Sequence, residues 1–213
     1  MEKEVRPRSE LFLRLTGWHM LPVMARDSGD RALMVRYGQG EIAAFEALYA
    51  RHKGQLYRYF LRQGLDSDSS SELMQEVWMK IIKAKDRYEP SAKFTTYLYR
   101  LAHNCLIDRY RRVAPGLAHK AAGADFDLTG LPAAAEANPE AAMIRGESAE
   151  RFRAALANLP DEQREAFILK QEAGLSLADV AYVTGVSAET AKSRLRYAFS
   201  KLRQQLAGHE DNA

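Results

Sequence analysis

One stretch, residues 93–112, constrains the fold most, because one of its sides is apolar and another is aromatic and basic. The apolar stripe, at helical spacing, consists of Phe94, Leu98, Leu101, Ala102 and Cys105. Another side carries Tyr97, Arg100, Asn104 and Arg111. Rings stack on unpaired bases, amides reach base edges and guanidinium groups bind phosphates. The stretch predicts a core-packed helix with a surface for unpaired nucleic acid; an amphipathic helix that only covers a domain surface is the alternative.

Helical periodicity also appears on both sides of this stretch, and the chain divides in two. A short helix is expected over residues 30–37, and longer helices are expected over 41–63 and 70–85. After Val113 the composition changes to Ala, Gly, Pro and Asp with little periodicity, which predicts a linker and a domain boundary. The sequence therefore predicts an all-α protein of two small helical domains joined by a flexible linker. We place them at residues 30–113 and 145–207, with the linker at 114–144 and a tail at 208–213.

Residues 1–29 form an N-terminal extension without sustained periodicity. Met24 precedes the first well-patterned region, and we take it as a hypothetical translation start. A short folded arm is the competing interpretation.

Composition and residue spacing exclude several classes of function. The chain has one cysteine, which suits a reducing compartment, and its five histidines are scattered without ligand spacing, so neither a metal site nor a cofactor is expected. No apolar run approaches the roughly 18 residues of a membrane span, and no signal peptide is visible, so we expect a cytoplasmic protein without membrane insertion. No phosphate loop and no nucleophile with a neighbouring base is present, so an enzyme acting on nucleic acid is disfavoured.

The helix expected over residues 70–85 has an unusually wide apolar arc. Its apolar residues are Leu73, Met74, Val77, Trp78, Ile81 and Ile82. They cover about half of the helix circumference, more than the arc of about 100° that one core requires. Either the helix is buried on two sides or part of it waits for a protein partner.

The second domain is typical of a helix-turn-helix. Four helices are expected; Ser176 caps the third, Gly185 makes a tight turn, and Ser187 caps a long basic helix that ends near residue 206. On this last helix we assign Thr190, Ser193 and Arg196 to base edges and Lys192, Arg194 and Lys201 mainly to phosphates. A helical bundle that binds no DNA is the alternative.

Four motifs together resemble the sigma-70 superfamily, specifically its small group-four members, the extracytoplasmic-function (ECF) sigma factors. They are Phe-Glu-Ala-Leu-Tyr at 45–49, Glu-Leu-Met-Gln-Glu-Val-Trp at 72–78, the stretch at 94–112, and Leu159-Pro160 followed by the helix-turn-helix up to residue 195. The resemblance covers about residues 35–113 and 145–206. Each motif is weak alone, but their order and spacing are specific.

The resemblance implies a sigma-two domain that binds core RNA polymerase and melts the minus-ten element, and a sigma-four domain that reads the minus-thirty-five element. It implies that the minus-ten DNA is bound by Ser91, Ala92, Lys93, Phe94, Tyr97, Arg100, Asn104, Arg111 and Arg112. It implies that the minus-thirty-five DNA is bound by Thr190, Lys192, Ser193, Arg194, Arg196, Tyr197 and Lys201, where Tyr197 departs from an expected basic residue. It implies polymerase binding by Glu72, Gln75, Glu76, Trp78 and Met79, although Trp78 is also compatible with a core position.

The resemblance implies three partners, which are core RNA polymerase, promoter DNA and an anti-sigma factor. It also implies that the protein is not an enzyme. A conventional helix-turn-helix regulator that binds DNA without polymerase is the main rival, but no dimerisation helix is evident. Whether the two domains cover each other's DNA surfaces is left open by the sequence.

Overall fold

The structure, a computed structural model, describes residues 27–89, 92–113 and 149–207. The extension up to residue 26 with Met24, the whole of the predicted linker and the predicted tail lie outside these ranges, as does Ser91. All regular elements in the described ranges are helical, and the all-α prediction is confirmed.

The first unit contains four α-helices: α1 (Asp27–Gly38), α2 (Ile42–Arg62), α3 (Ser67–Ala84) and α4 (Phe94–Val113). A short 3-10 helix, Lys85–Arg87, follows α3. Helix α3 begins earlier than predicted because the Asp66 side chain accepts a hydrogen bond from the Ser69 amide at 2.7 Å, which satisfies a free N–H of the first turn.

The wide apolar arc of α3 is used mainly inside the first unit. Leu73, Val77, Trp78 and Ile81 are buried, whereas Met79 is 49% exposed. The Trp78 ring makes edge contacts with the rings of Phe45 at 5.7 Å and Tyr49 at 5.1 Å. Helix α3 is therefore buried between α2 and α4, and only a narrow strip of it faces solvent.

The second unit contains α5 (residues 149–157), α6 (Asp161–Gln171), α7 (Leu177–Thr184) and α8 (Ala188–Ala207). The predicted caps are confirmed. Ser176 and Asp179 form a reciprocal capping box at the start of α7, and the Thr190 amide donates to the Ser187 hydroxyl at 3.1 Å. Gly185 has φ of 69°, a left-handed conformation that glycine adopts at little cost, and it turns the chain from α7 into α8.

The two units lie in contact, with α4 of the first packed against α7 of the second. Their buried apolar residues form one continuous cluster. Across the described ranges, no helix combines the length and apolar character that spanning a membrane requires.

Candidate nucleic-acid interface

The loop that precedes α4 is held in place by both neighbouring helices. The guanidinium group of Arg31, on α1, donates a hydrogen bond to the backbone oxygen of Ala92 at 3.1 Å. Phe94 is fully buried beneath the loop, with its ring 5.3 Å from that of His52. Lys93, which lies between Ala92 and Phe94 in the sequence, is exposed. Ala92 and Lys93 are therefore presented at the surface, whereas Phe94 supports the loop from below and offers no ring to a ligand in this conformation.

The outward side of α4 continues from this loop as a strip of aromatic, amide and basic groups. Tyr97 is half-buried, with its ring 5.3 Å from that of Tyr88. Burial raises the pKa of Tyr97 above its ordinary value, so its hydroxyl stays neutral and can donate a hydrogen bond. Asn104, Arg111 and Arg112 are exposed further along the helix.

A cleft of about 480 Å³ lies beside this strip, between the two units. Its lining residues are Lys80, Arg100, His103, Asn104, Ile107, Asp108, Arg111, Thr184 and Gly185. Lys80 contacts the Glu76 carboxylate at 3.0 Å and the Cys105 sulfur at 3.2 Å, and Arg111 lies 3.8 Å from Asp108. Two of the three Lys and Arg side chains in the lining, Lys80 and Arg111, are therefore balanced by neighbouring carboxylates.

Helix α8 presents the second candidate surface. Thr190, Lys192, Arg196, Tyr197 and Lys201 are exposed along one side, whereas Ser193 and Arg194 are half-buried. The Arg196 guanidinium lies 5.0 Å from the centre of the Tyr197 ring, which orients it along the helix surface. Arg194 pairs with Glu162 of α6 at 3.1 Å, so a phosphate would have to compete with that carboxylate.

The residues that the resemblance assigns to polymerase binding divide into three groups. Glu72, Gln75 and Met79 are exposed at helical spacing along the solvent-facing strip of α3. Glu76 is half-buried and contacts Lys80 and Arg112. Although burial alone would raise the pKa of Glu76, the hydrogen bond from Lys80 holds it below its ordinary value. Trp78 belongs to the core, with 4% of its surface exposed.

Several polar residues that the sequence analysis assigned to no site meet between the units. Thr96 donates to the Asp179 carboxylate at 3.0 Å. Tyr59 donates to Glu165 at 2.5 Å, and His103 lies 2.8 Å from the same oxygen. Helical periodicity does not predict these contacts, because each polar side chain becomes buried only through a partner that is distant in the sequence. Among the described residues, no group of three His, Cys, Asp or Glu side chains is placed to hold a metal ion.

Comparison with known proteins adds two family matches to this geometry. Residues 48–115 match the family model for sigma-70 region 2, and residues 149–202 match that for sigma-70 region 4. The two regions correspond to the first unit and the second unit, and together they cover more than half of the chain.

Similar proteins extend over both regions. RNA polymerase sigma factor CarQ of Myxococcus xanthus is 28% identical over 81% of this chain and 95% of its own length. ECF RNA polymerase sigma factor SigW of Bacillus subtilis is 27% identical over 79% of this chain and 91% of its own. In a co-crystal structure of the sigma factor RpoE with the anti-sigma factor NepR from Bartonella quintana, the matched chain has a TM-score of 0.61 at 22% identity, covering 76% of this chain and 96% of that one. This last likeness concerns the fold alone.

Proposed function

This chain belongs to the ECF group of the sigma-70 family, and on that premise we propose how its residues divide the work of promoter opening. As a sigma factor it binds core RNA polymerase and directs promoter recognition and transcription initiation. One observation carries the proposal: a single chain holds an aromatic and basic strip on α4 and a separate basic recognition helix, α8.

Residues 30–113 are proposed to act as the sigma-two domain that opens the minus-ten element. The loop of Ser91, Ala92 and Lys93 captures a base of the nontemplate strand, and Tyr97 forms its wall. Arg100, Asn104, Arg111 and Arg112 then follow the strand along α4. Unpairing costs a few kcal/mol per base, and stacking in the pocket returns about 1 to 3 kcal/mol per base.

Residues 145–207 are proposed to act as the sigma-four domain that reads the minus-thirty-five element in duplex DNA. Thr190, Ser193 and Arg196 reach base edges from the N-terminal half of α8, where a recognition helix enters the major groove. Lys192, Arg194 and Lys201 bind phosphates. Tyr197 offers a hydroxyl to the backbone and orients Arg196.

Polymerase contact is assigned to the exposed strip of α3, namely Glu72, Gln75 and Met79, with Glu76 at its edge. Each DNA surface is small, so neither domain supplies enough contacts alone. Polymerase raises the effective concentration of each domain at its own element by holding both at the promoter. The free protein is therefore a weak binder of promoter DNA.

The proposal extends to location and regulation. Core polymerase is cytoplasmic, and we place the protein there, without a catalytic activity of its own. The Bartonella quintana relative was crystallised with an anti-sigma factor, which supports an anti-sigma partner for this chain. A conventional regulator that binds DNA alone is not favoured, because the matches cover both the polymerase-binding region and the DNA-reading region of sigma factors.

Run-off transcription tests the function directly. Core RNA polymerase transcribes fragmented DNA of the source organism with and without the protein, and transcript starts are mapped. New starts that share two upstream motifs are expected. The Lys93→Ala variant should still bind polymerase but form fewer open complexes, and the Lys201→Ala variant should bind the promoter more weakly. The control variant Lys53→Ala changes an exposed residue of α2 and should match the wild type. No new starts, together with nanomolar binding of duplex DNA by the protein alone at physiological salt, would instead support the regulator.

A further inference from the structure

We infer that Arg31, on α1, is a positioning residue for strand capture, because its guanidinium group fixes the backbone just before α4. The inference rests on the proposed capture of a nontemplate base by the loop that includes Ala92 and Lys93. It adds α1, a helix with no residue among the proposed DNA contacts, to the minus-ten surface. Arg31 fixes the direction in which the chain enters α4, and with it the place of the Lys93 side chain.

Arg31 starts from a helix that is held by the core of the first unit. Asp30, Met34 and Tyr37 are spaced at i, i+4 and i+7, and all three are buried. They form the inward stripe of α1, whereas Arg31 lies at its edge with an exposed side chain. Because the buried stripe fixes how α1 lies, it also fixes the point from which the Arg31 side chain reaches the loop.

The acceptor of Arg31 is a backbone oxygen outside the hydrogen-bond ladder of α4. The first bond of that ladder runs from the Tyr97 amide to the Lys93 oxygen at 3.1 Å. The carbonyl group of Ala92 therefore lies one residue ahead of the helix, and Arg31 donates to its oxygen at 3.1 Å. Because a charged donor makes a stronger hydrogen bond than a neutral one, this contact holds a part of the chain that α4 itself does not.

The neighbour of Arg31 in the sequence supports the same loop from below. The carboxylate of Asp30 lies 2.8 Å from Nε2 of His52, whose ring centre lies 5.3 Å from that of Phe94. Asp30 and Phe94 are both fully buried. Two consecutive residues of α1 thus hold the chain on either side of Lys93, one at the preceding carbonyl group and the other through the ring that follows. The exposed Lys93 side chain therefore leaves the surface from a backbone that is fixed on both sides.

A fixed loop favours capture of the correct base, because a preorganised site binds without a further loss of backbone freedom. A loop that moves adopts the binding geometry less often, and it fits a wrong base nearly as well as the right one. Loss of the Arg31 contact should therefore reduce discrimination among bases and leave polymerase affinity unchanged. One hydrogen bond of this kind supports a change of about two- to tenfold.

Amide hydrogen exchange in the full-length protein, followed by NMR, tests the contact itself. Arg31→Ala removes the donor, whereas Arg31→Lys keeps a charged donor on a long side chain. The control Arg36→Ala removes an exposed arginine of the same helix that donates to Glu41 at 2.7 Å and not to the loop. Arg31→Ala should speed exchange of the Tyr97 amide, in the first turn of α4, about threefold or more, and Arg31→Lys should do so less. Equal exchange in Arg31→Ala and Arg36→Ala would overturn the inference.

Binding of forked promoter DNA by the protein with core polymerase tests the consequence. The DNA is taken from a start mapped by run-off transcription, and its unpaired nontemplate strand carries each of the four bases in turn along the minus-ten element. Arg31→Ala should lower the affinity ratio between the best and the worst base at one position by about two- to tenfold. The slope of log affinity against log salt concentration should not change, because a positioning residue neutralises no phosphate. A slope reduced by about 1 with an unchanged base ratio would make Arg31 a phosphate contact and contradict the inference.

Lys93→Ala in the same binding assay separates this inference from the proposed function. A lower base ratio for both Lys93→Ala and Arg31→Ala, with Arg36→Ala equal to the wild type, supports positioning by Arg31. A lower ratio for Lys93→Ala alone would leave capture by the loop standing and refute positioning by Arg31. An unchanged ratio for both variants, or a wild-type protein that directs no new starts, would refute the proposed capture and the inference that rests on it.

Discussion

Trp78 and Met79 are adjacent in sequence, and truncation of each should affect a different property of the protein. Trp78 is 4% exposed and packs against Phe45 and Tyr49, whereas Met79 is 49% exposed on the strip of α3 that we assign to polymerase. Trp78→Ala should therefore reduce stability, and Met79→Ala should reduce polymerase affinity.

The stability change for Trp78→Ala follows from the packing. Removal of a buried aromatic side chain to alanine costs about 3 to 5 kcal/mol, because the lost burial is joined by a cavity that neighbours fill only in part. The two edge-to-face ring contacts with Phe45 and Tyr49 place the change in the upper part of that range. For a chain of this size it corresponds to a fall of about 10 °C or more in the melting temperature.

The affinity change for Met79→Ala follows from its remaining exposure. Full burial of a methionine side chain contributes about 1.5 to 3 kcal/mol, and about half of its surface is still accessible for burial by a partner. Loss of that half weakens polymerase binding about tenfold, which corresponds to about 1.4 kcal/mol. Stability should change by less than about 0.5 kcal/mol, as for most surface substitutions.

Urea denaturation followed by circular dichroism gives the stabilities, and displacement of a fluorescent wild-type protein from core polymerase gives the affinities. Trp78→Phe is the control, because it keeps an aromatic ring in the core and should retain most of the stability. A Trp78→Ala variant of wild-type stability that no longer binds polymerase would refute this assignment of the two side chains. A Met79→Ala variant destabilised by more than about 2 kcal/mol would refute it equally.

Three further predictions concern the recognition helix, the turn and the acid limit. Arg196→Ala should relax the base preference at one position of the minus-thirty-five element by about tenfold or more, measured by competition among promoter variants. Lys201→Ala should instead lower the affinity for all promoter variants equally and reduce the slope of log affinity against log salt concentration by about 1. Gly185→Ala should destabilise the second unit by about 1 to 2 kcal/mol in thermal unfolding, because the left-handed backbone crowds a Cβ atom. Burial alone would raise the pKa of Asp30, but hydrogen bonds from His52 and Arg51 hold that pKa below the ordinary 3.8. The ionised Asp30 carboxylate therefore stabilises the fold fully above pH 3.8, and this stabilisation is lost as the pH falls through the lower pKa of the folded state. Asp30→Asn should therefore lower stability at neutral pH and flatten the pH dependence of urea denaturation below pH 4.

Local features of the fold could be predicted because their causes lie within a few residues. The Ser176 cap needs only Asp179 three positions later, and the left-handed turn needs only Gly185. On α8, the predicted outward residues Thr190, Arg196 and Lys201 are exposed, whereas Ser193 and Arg194 are half-buried. A helix that buries one face against its own short neighbours leaves the opposite face to solvent, and periodicity reveals both faces.

Residues on an apolar helix face were harder to assign to a partner. The wide arc of α3 was compatible with a core buried on two sides or with a protein partner, and the structure places Trp78 inside and Met79 outside. Phe94, which the resemblance assigns to DNA, is buried beneath its loop, with its ring near that of His52. Periodicity marks a side chain as apolar and inward, but it does not tell which surface that side chain meets.

The all-α class, the caps and turns and the family can be read from the amino-acid sequence, because they follow from local spacing and from motifs in a fixed order. The packing of α7 against α4 is visible only in the three-dimensional structure. Thr96 and Asp179 are 83 positions apart, and Tyr59 and Glu165 are 106 apart, so their pairing depends on how the two units dock. A polar residue becomes structural when a distant partner removes it from water, and that partner is set by packing of the whole chain.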